Sequence, residues 1–330
     1  MSCKEAVMMN ELLKEISILD IKGVAIGHEQ NEEAKTGVSV LYFPNGAQVG
    51  CDISGGGPAS REIHLTDSMT ADNPINAVVL SGGSAYGLAA SDGVMKCLEE
   101  HGIGYNTGLA LVPLVVQSCI YDLGYGKSNV RPDSAMGYAA CEKALKESSD
   151  LQGNIGAGTG ATVGKLMGMK QATKTGLGIC AVEFGELQIA AVVVLNAFGD
   201  VFDSENMQKI AGLMDPERKM FWDLEEMFMR FMSAPKDMFT GNTTIGAIIT
   251  NAKFDKAKLN KIASMTRNAY ARCINPVGTL ADGDSIYACS VGDVVSDVNL
   301  VGTLAAKVMQ EAIKRAVETA KIDDEEYLKY

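Results

Sequence analysis

Histidine is nearly absent from the chain: there are three in 330 residues, at His28, His64 and His101. Their spacing suits no zinc site, and a Ser-His-Asp triad would have to draw on one of them. A hydrolase built on this sequence therefore needs a base other than imidazole. Paired cysteines are also missing. The eight cysteines (Cys3, Cys51, Cys97, Cys119, Cys141, Cys180, Cys273 and Cys289) are scattered singly, with no C-x-x-C. With no secretory signal in the opening residues, they read as reduced thiols, mostly small buried hydrophobes. No apolar run approaches the ~18 residues needed to span a bilayer. Basic charge is in the minority, with 29 Lys and Arg against 41 Asp and Glu, a net charge of −12. That excludes nucleic acid and anionic membrane surfaces as main partners, because a phosphate backbone needs a concentrated basic face. These absences together lead to the expectation of a cytoplasmic protein that requires no cofactor and no metal.

What is present is a large apolar fraction, 47% of residues, in which short β-rich runs alternate with helical patterns. Residues 36–44 read as a strand ended by the turn signal Pro44-Asn45-Gly46. Ile75 to Leu80 reads as a buried strand running into Ser81-Gly82-Gly83-Ser84 and then a helix. Residues 133–148 predict a helix opened by Pro132 and Asp133. Residues 179–196 predict a hairpin turning near Gly185. Strands are expected at 241–251 and 285–291, and helices at 256–272 and about 302–321. The first twenty residues read as a short helix. The segment 202–240, rich in Met and charge and ending in Ser233-Ala234-Pro235-Lys236, reads as an amphipathic helix with a loop, or as a linker ahead of a processing site; the two are compatible.

Two motif groups carry chemistry. Gly156-Ala157-Gly158-Thr159-Gly160-Ala161 fits a loose G-x-G-x-x-A, but no clear strand enters it. Gly164-Lys165 lacks the first Walker glycine, and Leu166 replaces the required Ser/Thr, so close backbone packing is the better reading. The second group is Gly241-Asn242-Thr243-Thr244-Ile245-Gly246. A Thr after an Asn, opening a buried strand, is a plausible self-cleavage site: the hydroxyl attacks the preceding carbonyl, the acyl group shifts from nitrogen to oxygen, and water releases the ester. An α-amine ordinarily titrates at about 7.7–8.0, so the freed Thr243 amine can then serve as base for its own hydroxyl. This removes the need for histidine. The same tripeptide is common at strand entries. Its company is more telling. Asp282 and Asp284 could orient the amine and hydroxyl, or simply form a polar turn. Lys165 could lower the nucleophile's pKa or hold substrate, or be a solvated lysine. Asn196 could donate to an oxyanion, or end a strand.

In their order along the chain, Ser-Gly-Gly-Ser-Ala-Tyr-Gly-Leu (81–88), Ile-Tyr-Asp (120–122), Ala-Gly-Thr-Gly-Ala-Thr-Val-Gly-Lys (157–165), Val-Val-Val-Leu-Asn (192–196), Gly-Asn-Thr-Thr-Ile-Gly (241–246) and Asp-Gly-Asp (282–284) resemble the L-aminopeptidase/D-esterase family, which includes β-aminopeptidases and nylon-oligomer endohydrolases. The resemblance spans about residues 15–320. It implies an α/β fold, a four-layer α-β-β-α sandwich similar to the N-terminal-nucleophile hydrolases but connected differently. It implies a single self-processing domain cut between Asn242 and Thr243 into an α fragment, 1–242, and a β fragment, 243–330. By motif match Thr243 would be the nucleophile, Lys165 a proton-handling or charge partner, and Asn196 part of the oxyanion hole. Asp282 and Asp284 would orient the new amine, and Tyr121 would line the substrate site. Substrates would be small peptides or amides, and the αβ units would assemble further, into a tetramer. Some relatives carry a Ser nucleophile and a Ser/Glu pair; this chain sides with the Thr/Asp-Gly-Asp branch. Where many relatives have Pro-x-His-Thr, it has Pro276-Val277-Gly278-Thr279. Two alternatives share the scaffold: a pantetheine-type or other secondary-metabolite amidase, and an unprocessed binding protein.

Overall fold

Side-chain alternation along the strands decides what each face of this fold touches. The computed structural model describes residues 12–231 and 241–330. In chain order its main elements are β1 (Ala25–Asn31), β2 (Thr36–Ile53), β3 (Ile75–Ser81), α1 (Ala90–Glu100), β4 (Val115–Cys119), α2 (Ser134–Lys146), β5 (Leu177–Phe184), β6 (Leu187–Asn196), α3 (Leu224–Phe231), β7 (Thr243–Ala252), α4 (Lys256–Cys273), β8 (Ser285–Val294) and α5 (Val298–Glu318). Hydrogen bonds run without a break from Lys14–Glu15 through β5, β6, β7, β8, β2, β3 and β4 to Ser60–Arg61, with β1 also on β2. Only β7 with β8 and β3 with β4 pair in parallel among these ladders.

The hinge of this arrangement is β2. Its first half pairs with β1 and β3, and its last six residues, 48–53, pair with β8. One strand therefore serves two sheet layers, which stack face to face. Val192 and Val194 of β6, Ile245 and Ala247 of β7 and Tyr287 of β8 meet Leu41, Val78, Leu80 and Val116 between the layers. The alternate residues Val193, Leu195, Ile248 and Ile286 pack instead on Leu259 and Ile262 of α4 and Val308 and Ala312 of α5. On the far side Val38, Val40, Ala77 and Val79 pack on Val94 and Leu98 of α1 and Ala140 and Ala144 of α2. Period-2 strands with both faces apolar require helices outside both sheets. The result is the expected four-layer α-β-β-α sandwich.

Three expectations need correction. Pro44-Asn45-Gly46 does not end a strand; β2 continues through it. The pairing with β3 slips register between Tyr42 and Ala47, and Gly46 takes φ +73°. The turn residues form an exposed bulge that bends one strand from the first layer into the second, and at such a bulge the missing proline N–H is no loss. Near the start, residues 14–20 are not an α-helix. Lys14–Glu15 pairs with β5, and Ile18–Asp20 makes one 3₁₀ turn. Ser17 Oγ accepts from Leu19 N–H there while Asp20 accepts from Ser17 N–H, a reciprocal cap that fixes a single turn. The remainder of that expected helix, 1–11, lies outside the described residues. In 202–240 the helix is confined to α3; Ser233-Ala234-Pro235-Lys236 also lies outside the described residues. No helix among the described residues is long and apolar enough to cross a membrane.

Helix and sheet approach closely at Gly178 of β5. A Cβ there would stand 2.0 Å from Ala312 O and 2.6 Å from Ala316 N of α5, so backbone meets backbone and no side-chain rotation can relieve the clash. Gly178→Ala is expected to lower stability by about 1–3 kcal/mol, the usual cost of overpacking, read as a lower urea midpoint at unchanged slope.

Candidate functional site

The antiparallel register of β6 and β7 places Asn196 directly opposite Thr243. On the other side of β7, Asn242 bridges to Asp282 in parallel fashion, and the ladder continues with Ile245 opposite Ser285. Strand ends from three segments thus converge on the 242–243 peptide. The loop that leaves β2 holds the Asp-Gly-Asp turn from behind: Ser54 and Gly55 N–H donate to Asp284 O at 3.0 and 3.2 Å, and Gly57 N–H to Asp282 O at 2.8 Å.

Thr243 is 4% exposed, and its hydroxyl donates to the carbonyl oxygen of Asn242. That same oxygen accepts from Gly283 N–H at 2.9 Å. Asp284 Oδ1 accepts from Thr244 N–H at 2.6 Å and its Oδ2 from Gly278 N–H at 3.1 Å. Asp282 Oδ2 accepts from both the N–H and the hydroxyl of Thr279, at 2.9 and 2.7 Å. The two carboxylates therefore grip the backbone around Thr243, at Thr244 and across the 278–284 loop.

Lys165 Nζ donates to Asn196 Oδ1 at 2.7 Å and Asn196 O at 3.2 Å, and reaches Gly241 O at 3.4 Å. Thr162 N–H also donates to Asn196 Oδ1, at 3.2 Å. Two donors converging on that atom fix it as the oxygen end of the amide. Asn196 Nδ2 then donates one hydrogen to Tyr121 O at 3.0 Å. The Tyr121 ring lies over Gly241, where a Cβ would stand 2.0 Å from Tyr121 Cγ; only glycine fits beneath it. All seven residues singled out from sequence are thus brought together: Tyr121, Lys165, Asn196, Asn242, Thr243, Asp282 and Asp284.

Burial sets the charges. It pulls the Lys165 amine down to about 7, although the nearby charges of Asp282 and Asp122 work to raise it. Burial, and then the charge of Asp282, push the Asp284 carboxyl up; the Thr244 and Gly278 N–H groups hold it back. Asp122, missed in the sequence reading although it adjoins Tyr121, is likewise raised by burial. It accepts from Thr36 Oγ1 at 2.6 Å and Gly83 N–H at 2.7 Å. Low-dielectric surroundings with a lysine amine drawn down to about 7 suit proton transfer.

A cavity of about 200 Å³ opens beside this cluster, lined among others by Tyr121, Asp122, Tyr125, Lys165, Met169 and Asn242. The Gly283 N–H donor was also missed, because a backbone amide inside Asp-Gly-Asp leaves no mark in side-chain chemistry. The 156–161 loop is buried, and five of its six amides are engaged: Gly156 with Gln30, Ala157 with Ser39, Gly158 with Ile155 O, Thr159 with Gly156 O, Ala161 with Gly158 O. Lys174 Nζ donates to Gly158 O and Ala161 O, both at 3.1 Å. A loop so occupied presents no cradle for phosphate.

Known proteins resemble this chain in sequence and in fold. Peptidase family S58 matches residues 17–323. A protein named an uncharacterized aminopeptidase from Mycobacterium leprae is 35% identical over 295 residues, 84% of this chain and 79% of its own. A 6-aminohexanoate-oligomer endohydrolase from Agromyces sp. is 32% identical over 320 residues, 92% of this chain and 86% of its own. Among solved structures, the L-aminopeptidase D-Ala-esterase/amidase from Ochrobactrum anthropi, described as a variant among the Ntn hydrolase fold, superposes with TM-score 0.66 at 18% identity, covering 94% of this chain and 92% of its own. A Burkholderia sp. β-aminopeptidase superposes with TM-score 0.65 at 17% identity, over 93% and 88%. The structural likenesses carry the fold, and the sequence matches carry the family: the chain belongs to peptidase family S58 and is a hydrolase of amide or peptide bonds.

Proposed function

We propose that this hydrolase activates itself by cutting the Asn242–Thr243 bond, and that the freed Thr243 is the nucleophile for small peptide or amide substrates. One observation carries the reading: the Asn242 carbonyl oxygen is held by Gly283 N–H at 2.9 Å with the Thr243 hydroxyl beside it. A carbonyl due for attack needs a donor where negative charge will develop, and a nucleophile within reach. Rotation about the Thr243 Cα–Cβ bond carries Oγ from the oxygen toward the carbon. Its attack places the charge on the oxygen facing Gly283. Collapse with loss of the Thr243 nitrogen gives an ester, and water then frees the Asn242 carboxylate and the Thr243 amine and hydroxyl.

Before the cut, the Thr243 nitrogen is an amide and cannot act as a base. We assign the first proton to the Lys165 amine, drawn down to about 7 by burial and 3.4 Å from Gly241 O, once it releases one of the hydrogen bonds it donates. After the cut, the new α-amine takes over that role. In turnover the Asn196 amide, with one hydrogen on Tyr121 O and a second one to give, supports the oxyanion of the substrate. Substrate acyl groups enter the cavity next to Lys165 and Tyr121. The 6-aminohexanoate-oligomer name of the Agromyces relative supports small linear amides as substrates. Assembly of αβ units into a tetramer belongs to the same reading.

Intact mass of purified protein is expected to show two pieces joined at 242/243, while Thr243→Ala stays whole; a wild type that remains one chain after long incubation removes the self-processing step. Asn196→Ala is expected to reduce turnover by about 10²–10³, as for other oxyanion donors, measured on protein already cut. A base works unprotonated, so with the Lys165 amine at about 7 the cutting rate should climb from pH 5, reach half its maximum near 7 and level off above. Lys165→Met should lose that rise; a mutant profile matching wild type would assign the proton to another group.

A further inference from the structure

The far wall of the cavity is held by a side chain that does not line it. Tyr125 and Met169 both face the cavity, on separate loops, one after β4 and one after Lys165. Both are tied to Tyr327, which ends the short helix Asp324–Tyr327 and is 3% exposed. The Tyr327 ring stacks on Tyr125 with centroids 5.1 Å apart and planes 17° from parallel. Its hydroxyl donates to Met169 O at 2.7 Å. One residue thus bridges two loops that otherwise meet where Met169 packs on Gly124.

Further contacts fix Tyr327 itself. The Arg218 guanidinium lies over its ring, 4.4 Å from the centroid, and pairs with Asp324 at 2.6 Å. Arg218 also donates to Lys170 O at 2.9 Å and Ala172 O at 2.8 Å, the same loop that carries Met169. Tyr330 adds a tilted contact to Tyr125 at 5.7 Å, with Lys35 Nζ 4.3 Å from its ring centroid. The contacts of Tyr327 run to Tyr125, Met169 and Arg218, away from the hydrogen bonds that hold the Asn242 carbonyl and Asn196. Its effect falls on the shape of the cavity. At about 200 Å³ that cavity is smaller than the roughly 300–1,000 Å³ of sites for drug-sized ligands.

We propose that Tyr327 is a positioning residue for substrate selection: by holding Tyr125 and Met169 together it keeps the acyl pocket narrow, favouring slender aliphatic acyl groups over bulky aromatic ones. The proposal rests on the reading of Thr243 as nucleophile with the acyl group in this cavity. Loosening Tyr327 therefore widens the pocket and leaves the reacting groups where they are.

The test compares glycyl and phenylalanyl p-nitroanilides in the self-processed protein. Tyr327→Ala is expected to shift the kcat/KM ratio at least ten-fold toward the phenylalanyl substrate. The change should lie mainly in KM, with the 242/243 cut unchanged by intact mass. Tyr327→Phe keeps the stack and removes only the bond to Met169 O; it should move the ratio the same way by about three-fold in a protein that still folds, so the test survives if Tyr327→Ala fails to fold. A ratio within two-fold of wild type in Tyr327→Phe and in any folded Tyr327→Ala, or an equal fall in kcat for both substrates, would overturn the proposal. Thr243→Ala, run alongside, separates the failures. Activity surviving in it overturns the site reading and this proposal together. An inactive Thr243→Ala beside an unmoved ratio overturns the role of Tyr327 alone.

Discussion

The hydrogen-bond ladder on either side of β7 is the constraint from which the site follows. Its antiparallel edge sets Thr243 against Asn196, and its parallel edge sets Asn242 against Asp282. A slip of one residue would turn every side chain of β7 to the opposite face. Thr244 would then take the place of Thr243, and Ile245 and Ala247 would leave the inter-sheet core for the α4 and α5 layer. Apolar packing on both faces therefore defends the register, and the register defends the geometry at residue 243. Stability and chemistry are coupled through one strand.

The second constraint is the cost of burying charge. Lys165, Asp122, Asp282 and Asp284 are all buried, and an isolated ion so placed would be strongly unfavourable. The structure meets this with backbone groups: Thr244, Gly278, Thr279 and Gly83 N–H donate to the carboxylates, while the carbonyls of Asn196 and Gly241 accept from Lys165. Titration near neutrality at Lys165 is a by-product of that incomplete compensation. In the proposed self-cleavage it would let an amine serve as the base where imidazole is lacking.

Much of this was legible in the sequence, and for identifiable reasons. Both sheets alternate cleanly enough that β5, β6, β7 and β8 could be placed from apolar runs, and α2 from Asp133, which caps it through Met136 N–H. The side chains converging on Thr243 could be picked out because rare chemistry left few candidates. What the residues did not disclose depends on tertiary context. Pro44-Asn45-Gly46 carries turn chemistry, but a strand shared between two layers uses it to bend and not to stop. The 14–20 segment has helical composition, but its cap closes after one turn and Ile18 and Ile21 are drawn into the core. The role proposed for Gly283 runs through a backbone amide and that proposed for Tyr327 through two neighbours; neither is written in a residue type.

The strand shared between layers bears on the order of events in the molecule's life. β7 and β8 lie between β6 on one side and the last residues of β2 on the other. A break at 242/243 would leave a carboxy-terminal piece wedged inside a sheet made by the amino-terminal piece, bonded along both edges. Such a wedge cannot dock as a preformed module, because neither piece alone offers a finished surface to receive the other. The uncut polypeptide would then be the assembly jig, and non-local strand pairing of this kind forms slowly. Severing the backbone after folding would turn a thermodynamic arrangement into a kinetic one: the nicked sheet would persist because taking it apart is slow, and once dispersed it would have no covalent route home.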